Sequence, residues 1–289
     1  MLEVIRDELG THVSVAGGLE NAPERASAVG VSNLQLFTKQ PNRWAEPEVS
    51  EKGAERFRKA REEHEIAVVA SHDSYLINLA SPDETLWGRS VGSFRRELVR
   101  CTALGIELLV THPGNATDGD LESGIVRNAE GVTRVLEEVE SPTRILLEIT
   151  AGAGTSVGGS FEALAGILGG VPSELRGRVG ICFDTCHGYS AGYDLVGDYD
   201  GVWKRFDNAL GIERLGLFHL NDSKHPFASH KDRHEQIGEG TLGDEPFRRI
   251  MNDERFLSIP KLLETPKGDD MVTLDLKNLA RLRGFRTGA

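Results

Sequence analysis

The residues able to do chemistry stand at the ends of short apolar runs. Phe183-Asp184-Thr185-Cys186-His187 closes the run from Val179 to Phe183, just before Gly188 to Tyr193, which reads as a loop, and puts a carboxylate and an imidazole three residues apart. Such a pair can converge on one metal ion or on two neighbouring ions; an Asp there also caps helices, and a single His is commonly structural. The arrangement recurs. Ser71-His72-Asp73, Thr111-His112-Pro113, Leu147-Glu148, His219-Leu220-Asn221-Asp222 and Leu263-Glu264 close other apolar runs, and Asp232-Arg233-His234 lies in the loop after one of them. Five histidines (His72, His112, His187, His219, His234) and four carboxylates (Glu148, Asp184, Asp232, Glu264) make up the set. Four carboxylates gathered without cations would cost several kcal/mol each or take up protons, whereas carboxylates mixed with neutral imidazoles are the donor set of zinc and related ions. Nine donors exceed the needs of one tetrahedral ion, so two or three ions are implied. Ions ~3.5 to 4 Å apart, bridged by a carboxylate, form the clamp that activates a nucleophile and stabilises a leaving oxygen, which favours phosphoester hydrolysis.

Holding these residues together requires elements that end on one face. Eight candidate strands end near His12, Thr38, Ser71, Thr111, Ile149, Asp184, Asn221 and Thr265. Helical patterns follow them at Asn21 to Val29, Ser50 to His64, Trp87 to Leu104, Leu121 to Val139, Phe161 to Leu168, Gly201 to Leu210, Glu245 to Met251 and Leu274 to Leu282. Strict strand and helix alternation implies parallel strands with right-handed crossovers, and eight units suit a closed (β/α)8 TIM barrel, in which strand C-termini share one face. An open doubly wound sheet would carry a glycine turn for a nucleotide after its first strand, and Thr11 to Gly18 is not that turn. No linker divides residues 1–289, which read as a single domain. The polar stretch from Asp222 to about Gly243 is longer than ordinary barrel loops, a length that is often functional.

Composition narrows the class. The 289 residues are 39% hydrophobic and 27% charged, as in an ordinary globular protein. The opening Met1 to Asp7 lacks a signal-peptide pattern and no run approaches the ~20 apolar residues of a membrane span, which gives a cytoplasmic reading with no membrane association. Cys101, Cys182 and Cys186 include no C-x-x-C pair and read as reduced thiols. A net charge of −12 argues against a basic surface wrapping nucleic acid, although three bound divalent cations would halve it and concentrate positive charge in one cleft. Gly152 to Gly159 is glycine-rich but spaced neither as a P-loop nor as a dinucleotide fingerprint, and reads as a barrel loop.

Across nearly the whole chain the motifs resemble those of the endonuclease IV family. They are Thr11-His12-Val13-Ser14 with Gly17-Gly18, Thr38-Lys39, His72-Asp73-Ser74-Tyr75-Leu76-Ile77-Asn78-Leu79, Phe183 to His187 with Ala191-Gly192-Tyr193-Asp194, His219-Leu220-Asn221-Asp222-Ser223-Lys224, Asp232-Arg233-His234 with Gly238-Glu239-Gly240, and Leu263-Glu264-Thr265-Pro266. The resemblance implies a monomeric zinc enzyme that cuts double-stranded DNA 5′ to abasic sites, leaving 3′-hydroxyl and 5′-deoxyribose phosphate ends, and that clears blocked 3′ ends as a 3′-phosphatase and 3′-phosphodiesterase. It implies three Zn2+ per chain, with Mn2+ admissible at one site. By motif, His72 and His112 would hold the first ion and Glu148 would bridge it to the second; Asp184, His219 and Glu264 would complete the second; His187, Asp232 and His234 would hold the third. Glu148 and Glu264 are the candidates for positioning or deprotonating the water. Tyr75, Leu76 and Arg43 would be the DNA-binding wedge that enters the duplex at the lesion.

Two departures bear on this expectation. The family often carries Arg two residues before the Trp, where this chain has Asn42, with Arg43 directly before Trp44. After the glutamate the family continues with Asn, and with Gln between two glycines, where this chain has Ile149 and Ala153, so the hydrogen bonding around Glu148 is expected to differ. A sugar isomerase or epimerase would need only one or two ions and no wedge, and a lesion-binding module that does not cut would need no intact donor set.

Overall fold

A computed structural model describes residues 5–286, with side chains described from Asp7. Most of the opening segment read above for a signal peptide lies outside the described residues. In chain order the strands are β1 (Ile5–His12), β2 (Val31–Leu36), β3 (Val68–His72), β4 (Leu108–Thr111), β5 (Arg144–Glu148), β6 (Val179–Asp184), β7 (Leu215–His219), β8 (Asp222–Ser223), β9 (His234–Glu235) and β10 (Lys261–Leu263). The α-helices are α1 (Ala22–Ala28), α2 (Glu51–Glu63), α3 (Glu84–Leu104), α4 (Leu121–Glu138), α5 (Phe161–Gly170), α6 (Thr185–Ala191), α7 (Tyr199–Leu210), α8 (Asp244–Asn252) and α9 (Thr273–Gly284).

Eight strands close a fully parallel barrel in the order β1-β10-β7-β6-β5-β4-β3-β2, the (β/α)8 TIM barrel expected from the alternation, while β8 and β9 pair as an antiparallel ribbon inside the long loop. The barrel interior is filled by small and branched side chains, Ala70, Val110, Leu146, Cys182, Leu217 and Leu262. Outside it the helices pack on larger groups such as Phe57, Phe94, Trp203, Phe206 and Phe256, each completely buried. Burial on both faces is why β3 to β7 read as largely apolar runs rather than alternating ones, whereas β1 and β2 carry several polar residues. Helix starts are set by side-chain caps: Ser50, Asp83, Asp120, Ser160, Asp184 and Asp198 each accept from a main-chain N–H three residues on.

The expected elements differ from the observed ones mainly at their ends. β2 stops at Leu36 rather than Thr38, and α3 begins at Glu84 rather than Trp87, because Asp83 caps it. The stretch after Asp184 is a helix rather than a loop: α6 runs to Ala191 and is closed by Gly192 in the left-handed conformation (φ 105°). His187 is therefore held on a short helix that Asp184 itself starts.

Candidate metal centre

Every donor singled out in the sequence lies at the C-terminal mouth of the barrel. His72, Glu148, Asp184 and His219 are the last residues of β3, β5, β6 and β7, while His112 and Glu264 directly follow β4 and β10. The register sets them side by side, with Asp184 opposite His219 and His219 beside Leu262. His187 comes from α6; Asp232 and His234 come from the long loop, where the β8 and β9 ribbon carries His234 back over the mouth.

Among the described residues these side chains gather into groups whose donor atoms lie within 4.8 Å of one another: His72, His112 and Glu148; Glu148, Asp184, His219 and Glu264; and His187, Asp232 and His234. Glu148 is wholly buried at the centre. Its Oε2 is 3.2 Å from His72 Nε2 and 3.3 Å from His112 Nε2, and its Oε1 is 3.0 Å from His219 Nδ1 and 3.2 Å from His187 Nδ1. Cys182 joins Glu148 and His219 from below, and Cys186 joins Asp184 and His234; both thiols are buried, and burial pushes each up to about 12.

The donor chemistry fits divalent cations. His72 Nδ1 faces the carbonyl of Asp73 at 3.0 Å, His187 Nδ1 that of Ile149 at 3.0 Å, and His234 Nδ1 that of Glu264 at 3.2 Å. A carbonyl accepts only, so each ring donates there, and its Nε2 lone pair is left for the cluster. His187 Nε2 and His234 Nε2 consequently face each other at 3.4 Å, with Asp232 Oδ1 3.2 Å from the first and 3.4 Å from the second. Three acceptors converge there, an arrangement that a cation satisfies.

Electrostatics carries the same demand for positive charge. Burial opposes charge on His72, yet the hydrogen bond and charge of Glu148 outweigh it and raise the imidazole to about 10. His187 is opposed by burial and raised well above its ordinary value by Asp184 and Asp232. Burial likewise opposes His219, which Cys182, Glu264 and Glu148 raise. Burial pushes the carboxyl of Asp232 up, but the hydrogen bond from His187 holds it at about 2, and His219 lowers Glu148 and Glu264 against the same effect. The carboxylates require positive charge that protons on the imidazoles or divalent cations can provide.

The predicted wedge residues lie at the rim. Tyr75 is 60% exposed, its ring 5.5 Å from Phe37 and 5.9 Å from His72, with half-buried Leu76 beside it. Arg43 is exposed on a turn pinned from beneath: Lys39 Nζ donates to its carbonyl at 3.2 Å and pairs with Glu46 at 2.7 Å, which in turn holds Arg100 at 2.8 Å. The departure at Ile149 leaves the His187 contact intact, because a main-chain carbonyl makes it, and Ala153 lies exposed in its loop. Sequence reasoning left three supporting residues without roles. Asn221 donates to Asp184 Oδ2 at 2.6 Å and accepts from the Glu264 main chain at 3.0 Å. Asp222 ties the long loop, and Gln35 touches two of the proposed donors; standing with Ser32 and Asn33 in the half-polar stretch Val31–Leu36, it carries no local signal of that role.

Fold and site together define a (β/α)8 barrel with a cluster of metal-type donors at its C-terminal mouth, and a family described as the xylose isomerase-like TIM barrel matches residues 23–283. The chain is 47% identical over 282 residues to a probable endonuclease 4 of Trichlorobacter lovleyi, covering 96% of this chain and 99% of the relative. It is 46% identical to a probable endonuclease 4 of Geobacter sulfurreducens, covering 96% and 94%. Among solved structures, endonuclease IV from Thermus thermophilus matches with a TM-score of 0.85 at 36% identity, over 96% of this chain and 98% of that one. The chain belongs to the endonuclease IV family. A D-tagatose 3-epimerase-like protein, at 19% identity and a TM-score of 0.71, shares the barrel fold alone.

Proposed function

We propose that this protein is a DNA repair hydrolase that cuts the phosphodiester 5′ to abasic sites in double-stranded DNA and clears blocked 3′ ends, working as a cytoplasmic monomer. The products are 3′-hydroxyl and 5′-deoxyribose phosphate ends. The reading rests on one observation: nine nitrogen and oxygen donors converge in three groups at the barrel mouth, two of them sharing Glu148, beneath an exposed tyrosine. His72, His112 and Glu148 would hold one zinc ion, Glu148, Asp184, His219 and Glu264 a second, and His187, Asp232 and His234 a third, with Mn2+ admissible at one site. Bound ions of this kind supply Lewis acidity towards phosphodiester oxygens and lower the pKa of water.

The chain's own groups have separable tasks. Wholly buried Glu148 organises four imidazoles, whereas the Glu264 side chain is 17% exposed and borders a cavity of about 230 Å³ with His12, Phe37, Tyr75 and Lys267. Glu264 is therefore better placed than Glu148 to orient water and take its proton. Tyr75 and Leu76 offer apolar surface for stacking where a base is missing, and Arg43 offers a cation on the neighbouring loop, whose Pro41 carbonyl accepts from Ser74. The group His187, Asp232 and His234 favours a phosphodiester substrate over a small sugar, since an isomerase needs fewer ions. A duplex with one abasic analogue tests the reading: zinc-loaded protein is expected to incise it, with incision lost on chelation. Zinc-replete protein that leaves that duplex intact refutes it.

A further inference from the structure

His219 differs from its neighbours in what holds the nitrogen turned away from the cluster. His72, His187 and His234 rest on main-chain carbonyls, whereas His219 Nε2 lies 2.8 Å from the side-chain Oε1 of Gln35. Gln35 is completely buried on β2, between His12 of β1 and Ala70 of β3 in the register. Its Nε2 is 2.5 Å from Glu264 Oε1 and 3.0 Å from His12 Nδ1. The orientation of the amide follows from donor chemistry. A carboxylate accepts only, so the amide nitrogen faces Glu264 and the amide oxygen faces His219. His219 must then donate from Nε2, which leaves the Nδ1 lone pair aimed between Glu148 Oε1 at 3.0 Å and Glu264 Oε2 at 3.2 Å. The second amide hydrogen reaches His12 Nδ1, so both donors and the acceptor of Gln35 are used.

We infer that Gln35 is a positioning residue that sets two ligands of one metal site at once. Its oxygen selects the His219 tautomer whose Nδ1 faces the site, and its nitrogen turns the Glu264 carboxylate so that Oε2 faces the same point. This rests on the metal-centre reading above. The amide is well suited to the task because it is neutral and offers opposite functions from one rigid plane, so it orients an imidazole and a carboxylate without adding charge to a buried acidic cluster. Partners of this kind are worth about 10- to 100-fold in metal affinity. Unlike the main-chain carbonyls behind His72, His187 and His234, this one can be removed by substitution.

Gln35→Met keeps the volume and removes both hydrogen bonds. Full-length wild type and Q35M are titrated with Zn2+ against a chromophoric chelator, and the His219 ring is followed by long-range 1H–15N NMR. The expected result is one zinc ion bound at least about tenfold more weakly, the others unchanged, and loss of a slowly exchanging His219 Nε2–H signal. Zinc affinities within twofold of wild type overturn the inference whatever the signal does, as does an equal weakening of every ion. Should Q35M fail to fold, Gln35→Asn serves, since its amide is one methylene too short to span both ligands and is expected to lose the same ion. Wild type that binds no zinc in this titration rejects the metal-centre reading itself, an outcome distinct from equal affinities in wild type and variant.

Discussion

Replacing Asp222 by Asn exchanges one atom and removes the anchor of the loop that carries Asp232 and His234. The buried Asp222 carboxylate accepts from four main-chain N–H groups: Oδ1 from Ser223 at 2.7 Å and Leu242 at 2.9 Å, Oδ2 from Gly238 at 2.9 Å and Gly240 at 3.1 Å. Gly240 has no room for a side chain here, since a Cβ would stand 2.4 Å from both Asp222 Oδ1 and the Ser223 carbonyl. In D222N an amide NH2 meets two of the four N–H groups, so two bonds to a charged acceptor are lost and donors face donors. Each such bond is worth about 1.5–3 kcal/mol, which puts the loss at about 3–6 kcal/mol. That penalty falls on one loop outside the barrel ladder, so the loop is expected to open while the barrel stays closed. Hydrogen exchange read by mass spectrometry should show residues 223–242 at least about 100-fold less protected and the barrel strands unchanged. Metal content should fall by the ion assigned to His187, Asp232 and His234. Wild-type protection across 223–242 in D222N would refute the anchoring argument.

Three further outcomes are expected. Asp184→Ala and His187→Ala should deplete different zinc ions, because the side chains belong to different donor groups; anomalous-diffraction maps of the two variants showing loss of the same ion in both would contradict this. Tyr75→Ala should weaken binding of an abasic duplex by about 1–3 kcal/mol through lost stacking, with little change in melting temperature because the ring is 60% exposed; fluorescence anisotropy and calorimetry read the two effects. Lys261 is buried beneath the barrel, where its Nζ donates to the carbonyls of Phe256 and Ile259 and pairs with Glu8, and burial lowers it to about 8. Between that value and the ordinary lysine value near 10.4 the unfolded chain binds the extra proton, so stability rises with pH in this window by about 3 kcal/mol and is lost again as pH falls back to about 8. Urea unfolding of wild type and Lys261→Met across this range should show their difference changing by that amount.

Much of the fold and of the donor set was legible because the two signals coincide. A parallel barrel buries both faces of each strand, so strands stand out as apolar runs, and a polar residue at the end of a run is conspicuous, as His72, Glu148 and His219 are. What escaped lies where local pattern and final structure part. Gly188 to Tyr193 reads as a loop, yet the cap from Asp184 starts a helix at Thr185 that runs through Ala191 before the left-handed Gly192 ends it. The short β8 and β9 ribbon has two residues per strand, too few for any periodicity. Gln35 and Asn221 were invisible as supports because their partners are distant in sequence: Gln35 meets His219 and Glu264 only once β2, β7 and β10 are brought together across the barrel.

Asp184 carries a consequence for how stability and function trade off. Carboxylates crowded at a functional site ordinarily weaken the fold, and removing one often stabilises the protein at the expense of activity. Asp184 instead accepts from the His187 main chain at 2.8 Å as the cap of α6 and from Asn221 at 2.6 Å. The same carboxylate ends a barrel strand, begins a helix and faces the candidate metal centre. A search for stabilising substitutions would therefore retain it even with no selection for activity, and retention of Asp184 in such a search would reflect its structural tasks as much as its chemistry.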